Sequence, residues 1–375
     1  MKVVFYIHSL CVGGTEKIIT DYLLRLKQYG VNVVLVVNYH TDTFLEREII
    51  EAGIKIYALN TPLSFNHVIR LLQTIKRKFI INTKKLNKIL KAEVPDVLHI
   101  NTALEKIIGF EFPAKMVFYS FHCDIARYIR LSKPAGLKEL KRLAKAGMNF
   151  FALTDRMAED IKKSFYTDRV QKLPNGVDLN KIRAARYDRK LFLPLIGIPE
   201  NAFVLGHTGR FHSVKNHERI IDIFRALHER RADSYLILIG GDVDGRMEAI
   251  KNRVESYGLG NYVKFLGVRH DAVAVTGCFD AFVLPSFEEG FSLALVEAQA
   301  LNIRSVASDR VPQDVVCNKN CFRLSLKKTD EEWAELLLSD SVHSDEKDIE
   351  NFDLSNVTKT LLEYYKSVVE EQNLR

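Results

Sequence analysis

The sequence predicts an α/β protein of two doubly wound domains, each a parallel sheet wrapped by helices. Three observations carry that expectation. The chain has 375 residues, more than one ordinary hydrophobic core holds together. Short apolar runs alternate with longer amphipathic stretches along most of its length. The alternation pauses once, across Leu173–Glu200, and then resumes. At 47% apolar and 27% charged residues, the composition allows a core in each half.

The first strand is Val3–His8. A turn holding Gly13-Gly14 leads into a helix over Thr15–Tyr29, with apolar positions at Ile18, Ile19, Tyr22, Leu23 and Leu26. Strands follow at Val33–Val37 and Ile54–Tyr57. Phe65–Ala92 is long, basic and helical in period, and Asp96–Asn101 and Met116–Phe121 are further strands. Pro174, Asn175-Gly176, Pro194 and Pro199 punctuate the pause, whose Arg183–Lys190 stretch is strongly charged. The second series has strands at Phe203–His207, Ser234–Ile239, Val263–Leu266, Ala281–Leu284 and Ser305–Ala307. Its helices include Asn216–Arg230 and Leu293–Ala300. Val357–Glu370 reads as a terminal helix. The expected division is therefore 1–175, 176–350, and a terminal helix in 351–375 that packs back toward the first domain.

Several classes are excluded. The apolar run at Lys2–His8 is short and reads as a buried strand, not a secretory segment. No stretch approaches the roughly 18 apolar residues of a membrane span. The five cysteines include no Cys-x-x-Cys, which fits reduced thiols better than a disulfide framework or a zinc site. The net charge of +7 hides an asymmetry: residues 1–190 hold 33 Lys and Arg against 18 Asp and Glu, whereas residues 191–375 hold 21 against 29. Residues 51–145 carry 18 basic and 7 acidic side chains. Such a surface attracts nucleic acid, a phospholipid face or a diphosphate. An acidic second half and the lack of a nucleic-acid module weigh against nucleic acid.

The strongest local motif runs from Pro285 to Ala298. A buried strand ends at Pro285, a loop with Gly290 follows, and a helix begins, so backbone N–H groups near Gly290–Leu293 point at whatever lies beyond the strand. Glu289 stands just before that helix and Glu297 about two turns into it. Carboxylates in these places accept hydrogen bonds from the vicinal hydroxyls of a ribose or a hexose. The glycine pair Gly13-Gly14 allows close approach to an anion, yet the full G-x-G-x-x-G dinucleotide fingerprint is absent. Asp242-Val243-Asp244 lies in a glycine-rich turn and reads as turn chemistry.

Glu289-x7-Glu297 within Pro-Ser-x-x-Glu-Gly-Phe…Glu-Ala resembles the signature of family 4 retaining glycosyltransferases of the GT-B fold. Gly209-Arg210…Lys215, Leu173-Pro-Asn-Gly-Val-Asp178, Phe265-Leu266-Gly267 and Gly13-Gly14-Thr15-Glu16 resemble further family segments, in the family's order. Glu297-Ala298-Gln299-Ala300 and Phe265–Asp271 resemble the bacterial exopolysaccharide and capsule branch most closely. Leu301-Asn302-Ile303 replaces a glycine-led turn, which asparagine serves at modest cost.

The resemblance implies two Rossmann-like domains facing a central cleft and a nucleotide-sugar donor, a UDP-sugar above others. Arg210 and Lys215 would grip the diphosphate together with Gly13, Gly14, Ser292 and Leu293. Glu297, Val268 and Arg269 would hold the nucleoside. Glu289, Gly290, Phe291 and His122 would meet the donor sugar, with Glu289 and His122 as the catalytic candidates and Asp124 a weaker one. Two fixed cations beside the departing diphosphate would serve without a metal or other cofactor. The implied acceptor is a glycan on a lipid-linked intermediate, placing the protein in the cytoplasm against the inner membrane face. A UDP-sugar epimerase of the same fold, or a non-catalytic nucleotide- or nucleic-acid-binding protein, are the alternative readings.

Overall fold

A computed structural model describes residues 1–60, 82–340 and 346–374. The chain divides into two compact units, Met1–Pro174 with Val357–Arg375, and Asn175–Asn356. The Leu173–Asp178 segment straddles the first boundary. The expected limit at residue 350 lies before the observed one: Val177 N–H donates to Phe352 O and Leu354 N–H donates to Val177 O, bonds that keep the chain in the second unit to Asn356.

The first unit is built on seven parallel strands: β1 (Lys2–Ile7), β2 (Asn32–Val37), β3 (Lys55–Ala58), β4 (Val97–Ile100), β5 (Val117–Ser120), β6 (Asn149–Ala152) and β7 (Val170–Lys172). Their order is β3-β2-β1-β4-β5-β6-β7. Val3 to Ile7 are all buried, as expected of a strand covered on both faces. The sequence pattern missed β6 and β7. β6 is four consecutive buried residues, Asn-Phe-Phe-Ala, with no alternation to distinguish strand from helix. Part of Phe65–Ala92 lies outside the described residues; what is described there is a helix at Thr83–Glu93.

The C-terminal helix Leu354–Asn373 belongs mostly to this unit. Tyr365 hydrogen bonds to His99 Nδ1 at 2.5 Å, and His99 Nε2 meets Ser120 Oγ at 2.7 Å. Phe118 packs edge-on against Tyr365, ring centroids 4.8 Å apart. Burial holds His99 well below the ordinary imidazole pKa, so it is a neutral core group.

The second unit has six parallel strands: β8 (Phe203–Thr208), β9 (Ser234–Ile239), β10 (Val263–Gly267), β11 (Ala281–Leu284), β12 (Arg304–Ser308) and β13 (Cys321–Leu324). The order is β10-β9-β8-β11-β12-β13. One face packs Ile220, Ile221 and Phe224 of the helix His217–Arg230 with Trp333 of the helix Asp330–Leu338. The charged pause after Pro174 contains two short helices, Leu179–Ala184 and Arg189–Leu195. None of the five cysteines forms a disulfide among the described residues.

Candidate active site

Each sheet reverses its winding once. In the second unit β8 leads to β9 and β10 on one side, and β11 adds on the other, so the crevice lies beyond the carboxyl ends of β8 and β11. Glycines form its floor. Gly209 N–H donates to Ile239 O, Gly240 N–H to Gly267 O, and Phe211 N–H to Gly241 O, closing the ends of β8, β9 and β10 together. Gly240 has φ +153°, and a Cβ there would lie 2.0 Å from Gly209 O. Only glycine permits backbone segments this close.

Two loops border the crevice and are tied to each other. Asn216, in left-handed conformation at φ +57°, donates its side-chain amide to Pro285 O at 3.0 Å, and Phe287 N–H donates to Val214 O at 2.8 Å. These bonds bring Lys215 to Glu289. Lys215 Nζ donates to Glu289 Oε1 at 2.6 Å, and Ser286 Oγ donates to the same oxygen at 2.7 Å. The Lys215 and Glu289 side chains keep 23% and 10% of their accessible surface, so water screens the pair only in part. Ser286 is fully buried and its carbonyl accepts from Ser308 Oγ at 2.6 Å. Arg210 stands on the same edge, exposed and without an ion-pair partner among the described residues.

The helix Leu293–Ala300 starts at this loop. Ser292 caps it through a hydrogen bond from Leu295 N–H, with φ at +131°, a backbone state unusual for a residue with a side chain. Residues Leu295 to Ala300 are all buried, Glu297 among them at 9% exposure. Gly290 is half-buried and Phe291 buried, its ring 5.5 Å from Phe352. Val268 is exposed beyond β10. Arg269 is committed to Asp271 through a two-pronged ion pair at 2.7 and 2.5 Å, and its guanidinium holds the Asp271 carboxyl down to about 2. Tyr187 donates to the same carboxylate at 2.5 Å.

Sequence reasoning passed over two buried histidines beneath the crevice. His207 donates from Nδ1 to Val283 O at 2.9 Å, which leaves Nε2 an unprotonated acceptor with no partner among the described residues. A Cβ on Gly209 would sit 2.8 Å from that nitrogen. His217 stacks on Phe211 at 4.2 Å. Burial pushes His207 down to about 3 and His217 to about 2, with Lys215 adding to both. The signal was present in the segment Gly206–His217, where His207 occupies a strand position and His217 the first turn of a helix.

The first unit's crevice lies beyond β1 and β4. His122, just after β5, bonds through Nε2 to Asn101 Oδ1 at 3.0 Å; its Nδ1 is buried without a partner among the described residues. Burial lowers its pKa to about 4, so it is neutral at physiological pH. Gly13 precedes the helix Gly14–Gln28, whose first turn no side chain caps. Asp124 caps the helix Ile125–Leu131 through Arg127 N–H, a structural use of that carboxylate. Asp242 likewise accepts from Arg246 and Met247 N–H, as turn chemistry predicts.

Residues 12–181 match the family described as Glycosyltransferase Family 4, and residues 202–339 match Glycosyl transferases group 1. The two matches, both to glycosyltransferase families, fall on the first and the second half of the chain. Among relatives of this chain, EpsF of Bacillus subtilis (strain 168) is 33% identical over 172 residues, 45% of this chain and 44% of that protein. The UDP-Gal:alpha-D-GlcNAc-diphosphoundecaprenol alpha-1,3-galactosyltransferase of Escherichia coli is 28% identical over 237 residues, 60% of each chain. The chain thus spans about half the length of the curated relatives it matches. In architecture it is similar to Anabaena Alr3699/HepE in complex with UDP and glucose, with TM-score 0.75, 19% identity, and 98% and 100% of the two chains covered. That likeness fixes the fold as GT-B, two Rossmann-like units.

Proposed function

We propose that this glycosyltransferase moves a hexose from a UDP-sugar to a lipid-linked glycan acceptor with retention of anomeric configuration. The observation that carries the reading is the cluster of Lys215, Glu289 and Ser286 at the winding reversal of the second sheet, with Arg210 open beside it. Arg210 and Lys215 neutralise the charge that builds on the leaving diphosphate. Glu289 accepts from sugar hydroxyls and supports the oxocarbenium-like centre, and Glu297 takes the ribose hydroxyls. Val268 and Arg269 flank the nucleoside; Ser292 and Leu293 N–H groups add to the diphosphate. No metal enters the scheme. The UDP and glucose of the HepE complex, and the diphosphoundecaprenol substrate in the Escherichia coli relative's name, support this choice of donor and acceptor.

We infer that the first unit also meets anionic lipid. Arg130, Leu131, Lys133, Lys138, Lys141 and Lys145 are exposed across the helices Ile125–Leu131 and Pro134–Lys145, a cationic stretch with one large apolar side chain, Leu131, open to solvent. No helix among the described residues is long and apolar enough to cross a membrane. Replacing Lys138 and Lys141 together by Glu should weaken sedimentation with phosphatidylglycerol vesicles about tenfold; unchanged binding removes this contact. For the reaction, the purified protein is offered a panel of UDP-, GDP- and ADP-sugars with a diphosphate-lipid glycan acceptor. Transfer from a UDP-sugar with an α-linked product, lost in Glu289→Gln, is the expected result. An inverted product, or transfer undiminished in the variant, overturns it.

A further inference from the structure

We propose that Glu289 is also a specificity-determining residue that sets the site against the bare nucleoside diphosphate, the product, in favour of the nucleotide sugar. The inference rests on the donor-site reading above. Lys215 already spends one of its three N–H donors on Glu289, in a pair largely withdrawn from water. The loops that carry them are joined by the Asn216–Pro285 and Phe287–Val214 hydrogen bonds, so the pair cannot open by the two loops drifting apart. Ser286, buried and anchored through Ser308, holds the same carboxylate oxygen from the other side. A phosphate arriving at Lys215 therefore arrives beside a fixed carboxylate.

The two ligands answer that carboxylate differently. In a nucleotide sugar the β-phosphate is joined by an ester to the hexose and by an anhydride to the α-phosphate, and the hexose lies between it and Glu289, whose Oε2 makes no hydrogen bond among the described residues. Sugar hydroxyls can donate to it. A nucleoside diphosphate has no such donors. Its terminal phosphate carries an additional ionisable oxygen and shares one ammonium with a carboxylate, a like-charge contact that a part-buried site screens weakly. Arg210, exposed to water, offsets this only in part. After transfer the sugar is gone and the carboxylate repels what remains, which speeds product release.

The test is calorimetric titration of wild type and Glu289→Gln with UDP, GDP and ADP, and with UDP-glucose, at low salt. Melting curves serve as the folding control. The expected result is that UDP binds the variant about fivefold tighter than wild type, while UDP-glucose gains nothing. Glu289→Asp, which keeps the charge, should show no gain for UDP. Should Glu289→Gln melt far below wild type, Glu289→Ala gives the same reading without the amide. Equal or weaker UDP binding in the charge-free variants overturns the proposal and leaves the donor-site reading standing. If none of the three nucleoside diphosphates binds wild type or variant, the donor-site reading fails, and the proposal with it.

Discussion

The two winding reversals of this chain are built alike and furnished differently. Beyond β8 and β11 the crevice has a glycine floor and a part-buried ion pair, Lys215 with Glu289, plus the exposed Arg210. Beyond β1 and β4 it has Asn101 and a neutral His122, joined at 3.0 Å. The sheet topology that makes both crevices is the same. What differs is the first turn after each strand, where side chains are free to vary without disturbing the core. The charged edge suits an anionic leaving group, and the neutral edge suits hydroxyls. Parallel topology thus supplies a place, and the loop residues supply its chemistry.

The largest expected effect tests the charged edge. Glu289→Gln should lower kcat by about 100- to 1,000-fold with melting temperature near wild type, since the amide retains the Ser286 bond. A loss below about threefold would remove Glu289 from the chemistry. Next comes the floor: Gly240→Ala puts a Cβ against Gly209 O at positive φ and should cost about 3 kcal/mol, read from urea unfolding. An undisturbed midpoint would mean that the glycine floor yields freely. His122→Ala should reduce kcat about tenfold. A loss as large as that of Glu289→Gln would erase the contrast between the two edges.

The smallest effect is shared by both edges. His122, His207 and His217 are held at about 4, 3 and 2 by burial, and His99 is lowered too. In the unfolded chain each titrates near 6.5. Between about pH 6.5 and 4 the unfolded state therefore binds protons that the folded state refuses. This contribution to stability is full above about pH 6.5 and is lost as pH falls, at up to about 1.4 kcal/mol per pH unit for each group. His207→Gln should flatten the slope of unfolding free energy against pH in that window. A slope equal to that of wild type would show that His207 protonates freely in the fold.

Most of the scaffold was legible because burial on both faces leaves long apolar runs, as in Val33–Val37 and Ala281–Leu284. Short strands escaped where the pattern lost its period. β7 and β13 are edge strands of three and four residues, only partly buried, and β6 is too short and too uniformly buried to distinguish from a helix turn. At the site, Arg210 and Lys215 follow β8, and Glu289, Ser292 and Leu293 follow β11, positions that the order of the motifs along the chain makes legible. That order did not foresee that Lys215 and Glu289 pair with each other, that Arg269 is occupied by Asp271, or that His207 and His217 lie buried below. The Lys215–Glu289 pair and the burial of His207 depend on which segments meet, across separations of 74 and 76 residues, whereas Arg269 and Asp271 are only two residues apart.

By itself the sequence determined the α/β class, the two-part division near Pro174, and the identity of the chemical groups after each strand. Those follow from local periodicity and turn residues, which any chain segment carries with it. The tertiary structure decided which groups are spoken for. Whether a lysine waits for phosphate or already holds a carboxylate, and whether a histidine is charged or neutral, depends on the loops and burial around it. Hydrogen bonding and desolvation act only once the β8 and β11 loops are brought together.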